Sequence, residues 1–208
     1  LGASTGALAH LLPTALETLA REHPGIDVQV AVLTSAESMA RLAAGQLDIG
    51  LIALPQAPVA GVRVAPWRRD PVMAYLPATW SAPARVTPGW LATRPLILND
   101  AGTRLSRLTA AWFAQAGHAP RARIELNFND AIRSLVAAGY GASLLPREGA
   151  AAAGDERIHV RALRPVLWRE LGIAHRIGGD DGATQRVLQA LWRLRQTGTG
   201  RPARDPIR

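Results

Sequence analysis

No cysteine occurs among the 208 residues. That excludes a disulfide framework, a thiolate metal site and a cysteine nucleophile within this chain. Lysine is absent as well, so all 24 basic residues are arginine. Aromatic residues make up only 5% and do not interleave with the arginines as a base-stacking surface does. No apolar run approaches the roughly 20 residues that a membrane-spanning helix needs, and no signal-peptide pattern is read. There is no phosphate loop, no glycine-rich dinucleotide turn and no nucleophile elbow. His10, His23, His118, His159 and His175 have neither one another nor a carboxylate at metal-ligand spacing. No catalytic residue, metal site or cofactor is therefore assigned, and the chain is not read as an enzyme.

What is present is an ordinary globular composition, 48% hydrophobic and 19% charged. A chain this long can bury roughly 70% of its unfolded surface, enough for a core without staples. The net charge of +8 is unevenly placed. Residues 1–62 hold five acids and two arginines, while residues 63–208 hold 22 arginines and 11 acids. Such a balance attracts anions. The first residue is Leu1 rather than Met, which raises the expectation that a preceding segment has been removed.

Leu8, Leu11, Leu12, Ala15, Leu16 and Leu19 recur at helical spacing, with Ser4 and Thr5 upstream as capping residues. His23-Pro24-Gly25 ends that helix. Ile26, Val28, Val30 and Val32 alternate as a strand. Thr34 and Ser35 open a second helix, which Gly45 closes, and Ile49–Leu54 reads as a buried strand. With Gly2-Ala3 as a first strand, the order is strand, helix, strand, helix, strand, which implies parallel strands with crossover helices. Residues 55–71 read as loop with a short strand near Val62 and Val64, Val72–Leu76 as a strand, and 78–95 as loop.

The pattern then returns. Leu96–Leu98 is a strand, Asp100–Thr103 a turn, and Leu105, Leu108, Trp112 and Ala116 a helical stripe. Ile124, Leu126 and Phe128 alternate as a strand. Asn129 and Asp130 are read as the cap of a helix carrying Ile132, Leu135 and Val136. In both halves a helix ends at glycine (Gly45, Gly139) and a short apolar strand follows. That echo points to two similar α/β lobes; a single doubly wound sheet is the alternative. Residues 166–177 read as a long strand or a strand pair and 187–192 as a last helix. If the long strand returns to the first lobe, the chain crosses near 74–77 and again near 172–176. The expected division is 1–75 and 173–196 for the first lobe, 76–172 for the second, and a flexible tail at 197–208.

Hydroxyl and amide residues collect at the strand-to-helix turns: Ser4, Thr5, Thr34, Ser35, Gly102, Thr103, Asn127 and Asn129. Each alone is explained as a helix cap. Together they lie where open α/β sheets bind ligands, at strand carboxyl ends. Helix N-termini there favour an anion, and Arg104 supplies a counter-charge.

Leu1–Thr5, Leu11-Leu12-Pro13, His23–Ile26, Gly45–Ile52 and Val136–Pro146 resemble, in order and spacing, the effector-binding domain of LysR-type transcriptional regulators. The resemblance runs from residue 1 to about 195. It implies an α/β fold of two Rossmann-like lobes of the type-2 periplasmic-binding-protein kind, joined by two crossover strands. It implies a small effector, an anion or carboxylate, contacting Ser4, Thr5, Thr34, Ser35, Gly102, Thr103, Arg104 and Asn129. It also implies a homodimer or homotetramer in the cytoplasm, packed through helices near 7–21 and 104–116, that reaches operator DNA through an N-terminal winged helix-turn-helix outside this chain. A periplasmic solute-binding protein or an enzyme of the same fold is the rival expectation.

Overall fold

The computed structural model describes residues 1–147, 155–178 and 181–195. The expected tail at 197–208 lies outside them. The chain divides into two compact units. Unit 1 is Leu1–Arg69 with the chain from Glu170 onward; unit 2 is Asp70–Arg169.

Unit 1 begins with β1 (Gly2–Ala3), α1 (Thr5–His10), α2 (Leu12–Glu22), β2 (Ala31–Val32), α3 (Ser35–Ala43) and β3 (Ile49–Ala53). β1 is parallel to β2, with Ala3 opposite Val32, and parallel to β3, with Gly2 opposite Gly50. The return strand β9 (Ile158–Arg176) runs antiparallel to β3, Ala53 facing Leu171, and α7 (Gly182–Arg193) follows it. Strand pleating sorts β3 between two cores. Ile49 and Leu51 join Leu12, Leu19, Leu188 and Leu191 on one face, while Ile52 joins Met39 and Leu42 on the other. Each fully buried Leu or Ile contributes about 1.5–3 kcal/mol. The Trp67 indole N–H donates to the Leu191 carbonyl at 2.9 Å, tying α7 to the sheet.

Unit 2 repeats the plan. It holds the second half of β4 (Val62–Pro77), β5 (Arg85–Val86), α4 (Pro88–Ala92), β6 (Ile97–Leu98), α5 (Arg104–Ala114), β7 (Ile124–Glu125), α6 (Asn129–Ala137) and β8 (Ser143–Pro146). β6 and β7 are parallel; a parallel bridge joins Leu96 to Ala142 just before β8. β4 is antiparallel to β8, Val72 facing Pro146. Leu144 and Trp112 lie in the core under α4 and α5, and Leu145, Ile97 and Ile132 in the core under α6.

The fold class read from the sequence therefore holds: α/β, two lobes, with β4 and β9 as the two strands shared between them. Several local readings are corrected. The single helix at 7–21 is two, because Pro13 has no N–H to continue the ladder of α1 and instead opens α2. The alternating strand at 26–32 pairs only at Ala31–Val32, opposite Gly2–Ala3 of β1. The separate strands near 62–64 and 72–76 are one, as proline's φ suits extended backbone. The loop at 78–95 contains β5 and α4, the latter capped by Thr87.

Candidate functional site

Because β1, β2 and β3 are parallel, the residues after each share one edge of unit 1. Ser4 is exposed, and its Oγ accepts from the Ala7 N–H at 3.4 Å, capping α1. Thr5 opens that helix and is half-buried. Thr34 and Glu37 close a capping box on α3: the Glu37 N–H donates to the Thr34 hydroxyl (3.2 Å), and the Thr34 N–H and O–H both donate to the Glu37 carboxylate (2.8 and 2.7 Å). The Thr34 N–H, and then its hydroxyl, hold the Glu37 carboxyl below its ordinary value. Ser35 Oγ accepts from the Ala53 N–H at 2.9 Å, joining the start of α3 to the end of β3. Ser4 and Ser35 make no hydrogen bond as donors to any described residue, so each keeps an O–H to offer an anion.

On unit 2, Thr103 caps α5: its Oγ1 accepts from the Ser106 N–H at 3.1 Å and donates to the Asp100 carbonyl at 2.9 Å. Gly102 beside it is exposed, with nothing within 4 Å of where a Cβ would stand. Arg104 is the first residue of α5 and is half-buried. Asn127 Oδ1 accepts from the Asp100 N–H at 3.1 Å, and Asn127 Nδ2 donates to the Asp100 carboxylate. The reading of Asn129 as a cap is corrected. The N-cap of α6 is Phe128, which has no oxygen to accept a hydrogen bond, and Asn129 is the first helical residue.

Thus Ser4, Thr5, Thr34 and Ser35 gather at the carboxyl edge of unit 1, and Gly102, Thr103, Arg104 and Asn129 at that of unit 2. Sequence reasoning missed two residues at the second edge. Asn99 follows β6 and is 8% exposed; Phe128 is 62% exposed. The signals were a polar residue ending an apolar strand and an aromatic at a turn. The same edge carries a buried ion pair, since β4 enters opposite the end of β8. Arg169 Nη2 donates to Asp70 Oδ2 at 2.6 Å, with Asp70 fully buried.

A hollow of about 490 Å³ in unit 1 contains none of the predicted residues. It lies beside the amino ends of β1 and β3, lined among others by Leu1, Asp27, Gln29, Arg41 and Asp48. Among the described residues no group of three or more His, Asp or Glu is placed to hold a metal ion, and no helix is long and apolar enough to cross a membrane.

A family model described as the LysR substrate binding domain matches residues 1–195. A probable hydrogen peroxide-inducible genes activator of Mycobacterium avium is 34% identical over 201 residues, covering 92% of this chain and 63% of that protein. The transcriptional activator IlvY of Salmonella typhimurium is 27% identical over 148 residues, covering 68% of this chain and 49% of that protein. The chain thus spans about half the length of the curated relatives it matches. Among solved structures, the regulatory domain of CcmR from Synechocystis PCC6803, in complex with 2-PG, superposes with a TM-score of 0.80. Its identity is 19%, covering 95% of this chain and 96% of that one, a likeness of fold alone.

Proposed function

Since the chain belongs to the family of LysR substrate-binding domains, we propose that it is the ligand-sensing part of a cytoplasmic transcription regulator and takes a small anionic effector. The supporting observation is the placement of Ser4 and Ser35, each with an unused hydroxyl donor, beside the starts of α1 and α3; in unit 2 Thr103 caps α5 but spends its hydroxyl proton on the Asp100 carbonyl. Helix N-termini with unused hydroxyl donors suit a carboxylate or phosphate. The CcmR domain solved with 2-PG is consistent with that ligand class.

The two units are the two lobes, and the effector contacts are Ser4, Thr5, Thr34, Ser35, Gly102, Thr103, Arg104 and Asn129. The domain binds without turnover. The whole protein is a homodimer or homotetramer that meets operator DNA through a segment outside this chain. Effector binding acts on DNA only as far as the effector prefers one arrangement of the regulator over another. One relative is described as a probable activator of hydrogen peroxide-inducible genes, but with no cysteine in this chain a thiol-based response within it is chemically closed.

Thermal unfolding with a panel of small anions tests the reading. A true effector at 100 times its Kd adds about 2.7 kcal/mol of stability. Ser4→Gly, which keeps the cap to within a few tenths of a kcal/mol, should weaken that shift. In the full-length regulator the same anion should alter the operator footprint; an unchanged footprint at saturation rejects the proposal.

A further inference from the structure

We propose that Arg94, Arg121 and Arg123, at the amino edge of the unit 2 sheet, form a sequence-independent contact surface for the phosphate backbone of duplex DNA. The contact is additional to the segment outside this chain, and it rests on the regulator reading only for the presence of DNA.

Three parallel segments enter the sheet side by side. The Leu96 and Leu98 carbonyls accept from the Arg123 and Leu126 N–H groups at 2.7 and 3.1 Å, while the Pro95 carbonyl and the Ile97 N–H pair with Ala142 at 2.9 and 2.8 Å. β6 therefore lies between β7 and the entry to β8, and the loops leading into all three share one edge. Two strand spacings, about 10 Å, separate the outer pair. This edge is opposite the one that carries Thr103 and Asn129, which follow β6 and β7.

The loops are basic without compensation. Residues 92–96, 115–123 and 138–142 include Arg94, Arg121 and Arg123 and no Asp or Glu. Among the described residues, none of these three arginines meets a carboxylate. Arg121 and Arg123 are exposed and Arg94 is half-buried. Two of the three are held by neutral groups. The Arg94 guanidinium stands 3.4 Å from the Trp90 ring centroid and donates to the Trp90 carbonyl and, at 3.1 Å, to the Thr93 hydroxyl. That of Arg123 stands 5.7 Å from the Tyr140 ring centroid and donates to the Tyr140 carbonyl at 3.4 Å. Rings and neutral acceptors orient a guanidinium without cancelling its charge, so less freedom is lost when its N–H fork meets an anion.

The edge suits phosphates better than an acidic protein. Protein interfaces anchor on apolar hot spots. Among the described residues, Tyr140 is the one exposed large hydrophobic on this edge, and its ring already faces Arg123. Phosphate contacts need only well-placed donors and carry no sequence information. Several cations along one edge match a duplex, which bears one charge per about 1.7 Å of axis.

The test is fluorescence anisotropy of a labelled duplex of arbitrary sequence with this chain, from about 50 to 200 mM salt. We expect binding whose log K falls linearly with log salt. Arg121→Gln and Arg123→Gln should each lower that slope by about one, and the pair by about two. Arg94→Gln should do likewise, with its melting temperature read as a check on folding. Arg63→Gln and Arg186→Gln remove the same charge from exposed positions on unit 1 and should leave the slope unchanged. Three outcomes overturn the surface: no binding at about 50 mM salt, a slope lowered equally by the unit 1 variants, or polyglutamate binding as tightly as the duplex at equal charge. The last would make the edge a dock for an acidic protein. The effector reading survives all three, because the thermal shifts with small anions test it separately.

Discussion

Helices α3 and α6 occupy corresponding places in the two units. Each has nine residues, ends at a glycine with positive φ (Gly45 at 73°, Gly139 at 84°) and leads into a strand buried on both faces. Their carboxyl ends close alike: the Gly45 and Gln46 N–H groups reach back to Leu42 and Arg41, and those of Gly139 and Tyr140 to Val136 and Leu135. Their beginnings differ. Thr34 and Glu37 seal the start of α3 with reciprocal hydrogen bonds, whereas Phe128 makes no side-chain cap bond at the start of α6. One frame is thus used twice, once with a capping box and once with an N-cap residue that offers no side-chain acceptor.

The strongest way to challenge the likeness is to truncate the buried anchors. Leu42→Ala on α3 and Ile132→Ala on α6 remove fully buried side chains. Each should cost about 2–5 kcal/mol in urea unfolding. A small loss at only one would show that the two helices are not anchored alike. Next come the glycines. Gly45→Ala and Gly139→Ala should each cost about 1–2 kcal/mol, because L side chains strain at positive φ. Gly45 should be the worse of the two, since Arg176 Nη1 stands 3.3 Å from the added Cβ.

The helix starts should then diverge. Thr34→Ala should lose about 1 kcal/mol, whereas Phe128→Ala loses no cap, and a thermal melt of the pair measures the difference. The smallest effect is one of pH. The folded-state pKa of Glu37 is lowered, chiefly by the Thr34 N–H and then by its hydroxyl. Its contribution is therefore present above the unfolded carboxyl value and is lost as pH falls through the folded one. Glu37→Gln should flatten the acid limb of the stability profile. Phe128 offers no partner for an equivalent bond on α6.

Features governed by neighbouring residues were legible in the sequence. Ser4, Thr34 and Thr103 cap the helices they precede, because a hydroxyl three residues before a free N–H needs no tertiary help. The glycine stops and the doubly buried strands after them were equally plain. Features governed by distant partners were not. The alternation of Ile26, Val28 and Val30 correctly marks the half-buried side, but a ladder also requires a neighbouring strand, and that exists only for Ala31 and Val32. The loop expected between Val64 and Val72 is strand instead, with Pro66 and Pro71 as extended residues within β4. At the candidate site, Asn129 and Asp130 read as the cap because side-chain chemistry favours asparagine and aspartate there. The hydrogen bonds of Asn127 to Asp100 belong to tertiary structure, and they accompany a cap set one residue earlier.

Asp70 and Arg169 stand 99 positions apart along the chain and meet in the interior. Losing either one alone breaks a buried charge-assisted hydrogen bond, at about 3–5 kcal/mol, a large part of the 5–15 kcal/mol by which a domain is usually stable. Inheritance must therefore treat two distant codons as a single locus. A lineage can keep both or exchange both for a matched apolar couple, but the one-step intermediates fail to accumulate folded protein.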